Sequence, residues 1–143
     1  MTQNTEADQG PKNANTRLDI ARALTQIVGH GRTIDWVRDQ RPQWLQSSLH
    51  SELLYGTLRH YLSLTDAIQK QLKRPLKTKD LDLQNRLLVG AYQLKSTAVA
   101  DYAAISECVE ACKGLGKPWA KGLVNGVLRT LQRGGEKKPA AET

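Results

Sequence analysis

Apolar residues recur three and four positions apart along most of this chain, the period of a helix buried on one face. The pattern predicts a first helix from Thr16 to Val28, with Ile20, Ala21, Leu24, Ile27 and Val28 inward and Gly29 or Gly31 near its end. A short helix follows Arg32, carries Ile34, Trp36 and Val37, and stops before Pro42. A long one is expected from Trp44 to Leu72, its apolar set including Leu49, Leu53, Tyr55, Leu58, Tyr61, Leu62 and Ile68. Gly56 inside it costs about 1 kcal/mol against Ala, a cost that close approach by a neighbouring helix would offset. A fourth starts at Thr78 or Asp80 and uses Leu87, Leu88, Ala91, Tyr92 and Leu94. Asp101 is expected to cap a fifth, with Ala104, Ile105, Cys108, Val109 and Cys112 inward and Gly114 and Gly116 ending it. The last runs from Lys117 to Arg133, with Ala120, Leu123, Val124, Val127, Leu128 and Leu131 as its stripe and Pro118 in its first turn.

No stretch alternates with the period of a strand, so the fold class is all-α, and the short connections imply a helical bundle. Residues 1–14 and 134–143 are polar and carry Gly and Pro. They hold too little apolar surface to offset the entropy of ordering, so both are expected to be disordered tails. The ordered domain is therefore residues 15–133.

The 143 residues suffice for one domain and not for two. The net charge is +7, and the sequence pI is near 9.6, so a polyanion is the first ligand to consider, nucleic acid ahead of membrane. No run is long and apolar enough for a membrane span, and the N-terminus has no signal-peptide core; a cytoplasmic address is expected. Cys108 and Cys112 read as small core residues, because C-x₃-C is neither a redox motif nor half of a zinc site.

Four segments, in order, resemble the NusB-type helical domain: ELLYGTLRHY (52–61), RPLKTKD (74–80), LLVGAYQL (87–94), and the run from Ala103 through GLVNGVLR to Arg129. RPLKTKD and LLVGAYQL are more similar to the branch that forms the N-terminal part of RsmB-type small-subunit rRNA cytosine methyltransferases than to free-standing NusB. The resemblance implies a bundle of two three-helix subdomains that binds RNA, rRNA or its precursor, often with a protein partner. That partner would be a ribosomal protein or a methyltransferase catalytic subunit. The implied role is targeting or accessory to rRNA methylation; the alternatives are transcription antitermination and a protein–protein adaptor. Ala100 and Tyr102 stand where the methyltransferase branch usually has Pro and His, and Lys95 and Ser96 replace an apolar pair, so the turn before the fifth helix lacks the helix-stop cue of a proline.

Catalytic equipment is not expected. No strand–GxGxxG–helix turn is present, the two cysteines do not match the catalytic cysteine motifs, and His30, His50 and His60 fall in no constellation with a carboxylate or nucleophile. Neither a cofactor nor a metal is expected. RNA contacts call for clustered cations with aromatic planes nearby. Three clusters qualify: Arg17 and Arg22, of which Arg17 matches the family's N-terminal basic motif; Lys73, Arg74, Lys77 and Lys79 around Pro75; and Lys117, Lys121 and Arg129. Trp119, Tyr55 and Tyr92 are assigned to packing, and Asn125 to hydrogen bonding between elements.

Overall fold

The computed structural model of the chain describes residues 9–96 and 101–141, with side chains for 16–96 and 102–133. Its helices are α1 (Gln9–Leu24), α2 (Ile34–Gln40), α3 (Ser48–Arg59), α4 (Tyr61–Gln69), α5 (Leu81–Ser96), α6 (Asp101–Gly114) and α7 (Lys121–Ala141). Single 3₁₀ turns at Pro42–Leu45, Thr78–Asp80 and Pro118–Ala120 lead into α3, α5 and α7. Among the described residues there is no strand.

The local causes are visible in side chains. Thr33 caps α2 by accepting from the Trp36 N–H at 2.9 Å, and Ser47 caps α3 by accepting from the His50 N–H at 3.1 Å. Gly116, at φ 76°, ends α6 in a left-handed turn, with the Lys117 N–H on the Cys112 carbonyl at 2.8 Å.

α5 is the organising helix. It packs against α1, α3, α4, α6 and α7, and residues 85–93 along it are all buried. Apolar side chains from both halves of the chain form one cluster, from Ile20 and Leu24 through Leu53 and Leu88 to Val124 and Leu128. Gly90 lets three helices meet: a Cβ there would stand 3.4 Å from both Cys108 Sγ and Leu128 Cδ1. Both cysteines are buried in that core as free thiols.

Helix α1 begins at Gln9, and α7 runs to Ala141; residues 1–8 and 142–143 lie outside the described ones. The same holds for the turn at residues 97–100 and for the Asp101 side chain expected to cap α6. The first helix ends in a π-helical turn, Thr25–Gly29, and the extra residue in that turn rotates the stripe, leaving Val28 42% exposed. Thr25 secures the turn: its hydroxyl donates to the Ala21 carbonyl at 2.9 Å and accepts from Asn85 Nδ2 at 3.0 Å. The Tyr61 hydroxyl in turn donates to Asn85 Oδ1 at 3.0 Å. The long third helix is two, broken at His60 with no Pro or Gly there. The break lies one turn after Gly56, where Tyr92 packs and the His60 ring stacks on it, with centroids 6.3 Å apart. Beyond it the buried face is Leu64 and Ile68, and Leu62 is 82% exposed.

Candidate nucleic-acid interface

The nine cations singled out in the sequence divide by position. Arg22, Lys73, Arg74, Lys77, Lys79 and Arg129 are exposed, and Lys121 is half-buried. Arg17 is buried and Lys117 half-buried, each in an ion pair within the fold. Arg17 is 4% exposed; its Nε donates to Gln93 Oε1 at 2.8 Å, and its Nη1 is ion-paired with Glu107. Burial lowers its pKa, against the pull of the Glu107 carboxylate. As placed, Arg17 ties α1 to α5 and α6.

Lys117 Nζ lies 2.6 Å from Asp82 Oδ1 and 3.3 Å from Asp80 Oδ1, and it donates to the Lys79 carbonyl at 3.3 Å. Burial alone would lower its pKa, but the two carboxylates more than compensate and hold it above the ordinary lysine value. This ammonium is neutralised within the fold. Its effect is to join the second cation cluster to the third, fixing the turn that carries Lys77 and Lys79 against the approach to α7.

The first cluster reaches the same place. A cleft of about 320 Å³ is lined by Arg22, Thr25, Gln26, Trp44, Asp82, Gly114 and Leu115. Asp82 is thus both a wall of the cleft and the anchor of Lys117, so the cleft that Arg22 lines adjoins the turn whose Lys79 carbonyl Lys117 also holds. Lys73, Arg74 and Arg129 are exposed cations that no such contact ties to the cleft. Arg129 donates from Nε to Asn125 Oδ1 at 3.3 Å, so Asn125 works on the surface of α7 and not between elements.

Aromatic exposure also differs from expectation. Trp119 is 60% and Tyr55 43% exposed, while Tyr92 is buried as expected. Two arginine–tryptophan pairs went unnoticed in the sequence: Arg32 over Trp36 at 4.5 Å and Arg41 over Trp44 at 5.7 Å. Arg38 Nη2 adds a 3.5 Å contact to the Tyr55 hydroxyl. The signal is present in RTIDWVRDQRPQW, where arginines and tryptophans interleave, but the first pair forms only when the chain turns into α2 and the second only when the loop between α2 and α3 folds. Trp44 therefore gives the cleft an aromatic wall with a cation above it.

His50 is a further correction. It is buried, with Nε2 3.1 Å from Asp19 Oδ2 and Nδ1 2.6 Å from Ser47 Oγ. The three residues have the connectivity of a serine–histidine–aspartate set, but the Ser47 hydroxyl caps α3, and the ring locks that cap to α1. Among the described residues no group of three His, Cys, Asp or Glu side chains could hold a metal ion, and no helix is long and apolar enough to cross a membrane.

Comparison with known proteins identifies the region. Residues 14–133 match the model of the NusB family. The ribosomal RNA small subunit methyltransferase B of Pseudomonas putida is 39% identical over 128 residues, covering 85% of this chain and 29% of the enzyme. The enzyme of the same name from Pseudomonas syringae pv. tomato is 37% identical over 125 residues, covering 85% of this chain and 28% of the enzyme. The one from Klebsiella pneumoniae is 36% identical over 125 residues, at 85% and 29%. The chain thus spans less than a third of the length of these relatives, and the larger remainder of those enzymes has no counterpart in these 143 residues. A family match running from the middle of α1 into α7 takes in every element described above, and the chain belongs to the NusB family.

Proposed function

We propose that the chain is a non-catalytic RNA-binding module that acts on rRNA or its precursor, in the cytoplasm, as a targeting or accessory domain of small-subunit rRNA cytosine methylation. The observation that carries this reading is a cleft lined by Arg22 and Trp44, whose wall residue Asp82 holds Lys117 and through it the Lys79 carbonyl, in a protein of net charge +7. Cations on a folded scaffold meet phosphates, and an aromatic wall accepts an unpaired base. The names of the relatives, which are ribosomal RNA methyltransferases, support rRNA as the ligand. Tyr55 and Leu62, exposed on α3 and α4, favour a protein partner beside the RNA; a ribosomal protein or a methyltransferase catalytic subunit fits that place.

The test is binding to small-subunit rRNA fragments over a salt series. Affinity is expected to fall steeply as salt rises, and Lys79→Ala is expected to reduce the log–log slope by about 0.7 to 0.9. A weak, salt-independent response that ignores Arg22→Ala and Lys79→Ala would overturn the reading and leave the adaptor alternative.

A further inference from the structure

Arg86 sits midway along α5 with 1% of its surface exposed. None of its three side-chain nitrogens has a hydrogen-bond partner among the described residues. A guanidinium cannot escape burial by losing its proton, so its charge must be met where it lies. The groups that share its field are Arg17 on α1 and Cys108 and Cys112 on α6. Cys108 is close enough for its thiol to donate to the Arg86 carbonyl, at 3.6 Å. Arg17 holds Glu107, and Lys121 and Glu110 act on Cys112 beside Arg86. The described charges around this part of the interior are therefore three cations against two carboxylates, an excess of one positive charge.

We propose that Arg86 binds a small monovalent inorganic anion, chloride being the abundant case, in the interior between α5 and α6. Charge and size select this class. One negative charge cancels the excess; a dianion would overshoot it and lose far more hydration on entry. The α5 residues on either side of Arg86, from Asn85 to Gln93, are all buried, which disfavours a bulky oxyanion. A water molecule would satisfy N–H groups but leave the charge. The inference is independent of RNA binding.

The test is thermal unfolding of the full chain at constant ionic strength, with sodium chloride exchanged for sodium methanesulfonate. Well above half-saturation, each tenfold rise in chloride should lower the unfolding equilibrium constant about tenfold, as one-site linkage requires. Bromide should replace chloride, and the anion-specific response should vanish in Arg86→Met. Chloride and methanesulfonate acting alike on the unsubstituted chain would overturn the proposal, as would an undiminished chloride response in Arg86→Met. Should Arg86→Met fail to fold, crystals grown in bromide decide: an anomalous peak within hydrogen-bond reach of the guanidinium supports the site, and its absence overturns it.

Discussion

The ring of Tyr92 on α5 occupies the space where Gly56 on α3 lacks a side chain; a Cβ built at Gly56 would overlap the hydroxyl-bearing end of that ring. Alanine at position 56 would gain about 1 kcal/mol in helix propensity and lose about 2–3 kcal/mol to overpacking, the upper part of the usual range for so deep an overlap. Gly56→Ala is thus expected to lower stability by about 1–2 kcal/mol, read from urea unfolding. Adding Tyr92→Val should recover part of that loss. Equal stability of Gly56→Ala and the unsubstituted chain would mean that the contact tolerates a methyl group.

Arg17 and Arg22, five residues apart, should separate cleanly. Arg17→Ala leaves Glu107 without its cation in a largely buried position and is expected to cost about 3 kcal/mol. Arg22→Ala removes a side chain 45% exposed and should change stability by less than about 0.5 kcal/mol. Measured below both unfolding transitions, only Arg22→Ala should weaken RNA binding. The opposite assignment would show that α1 rearranges on binding.

Lys117→Met deprives Asp80, 5% exposed, of its ammonium partner and is expected to cost about 1–3 kcal/mol. The pH dependence follows from the raised lysine pKa. The contribution is complete below the ordinary lysine value of 10.5 and disappears as pH rises through the higher folded value. The stability curves of Lys117→Met and the unsubstituted chain should therefore be parallel near neutrality and converge in strong alkali. Curves that stay apart would place the effect in packing and not in charge.

Burial holds the thiols of both Cys108 and Cys112 above the ordinary value of 9.0; in Cys112 the neighbouring Cys108 adds to the shift. Both should stay protonated and unreactive in the native protein. Iodoacetamide labelling at pH 8, followed by mass spectrometry, should run at least about tenfold slower than in denaturant. Stability should also decline as pH rises from 9 through the folded thiol values, because the unfolded chain ionises first. Rapid native labelling of either cysteine would show that α6 opens locally.

Much of this was written in local sequence. The period of apolar residues located the helices, the Cys108–Cys112 spacing located buried thiols, and Gly56 announced a close neighbour without naming it. What stayed illegible was set by distance along the chain. Arg17 looks like any surface arginine until Gln93, 76 residues away, and Glu107 come to meet it. Lys117 belongs to a basic run in sequence and to two aspartates in space. The break at His60 carries no proline or glycine, and the phase of the stripe changes there, which is why Leu62 was misplaced. His50 gave no sign of Asp19 because their contact needs α1 and α3 to pack.

A loop bearing several lysines repels itself and samples many shapes, and a polyanion binding it must bring that ensemble to order. Here a single internal ammonium, held by Asp80, Asp82 and the Lys79 carbonyl, fixes the turn beforehand. The loss of loop entropy is incurred during folding, and an arriving chain of phosphates meets a surface already set. By giving up its own charge to the interior, Lys117 makes the charges beside it preorganised.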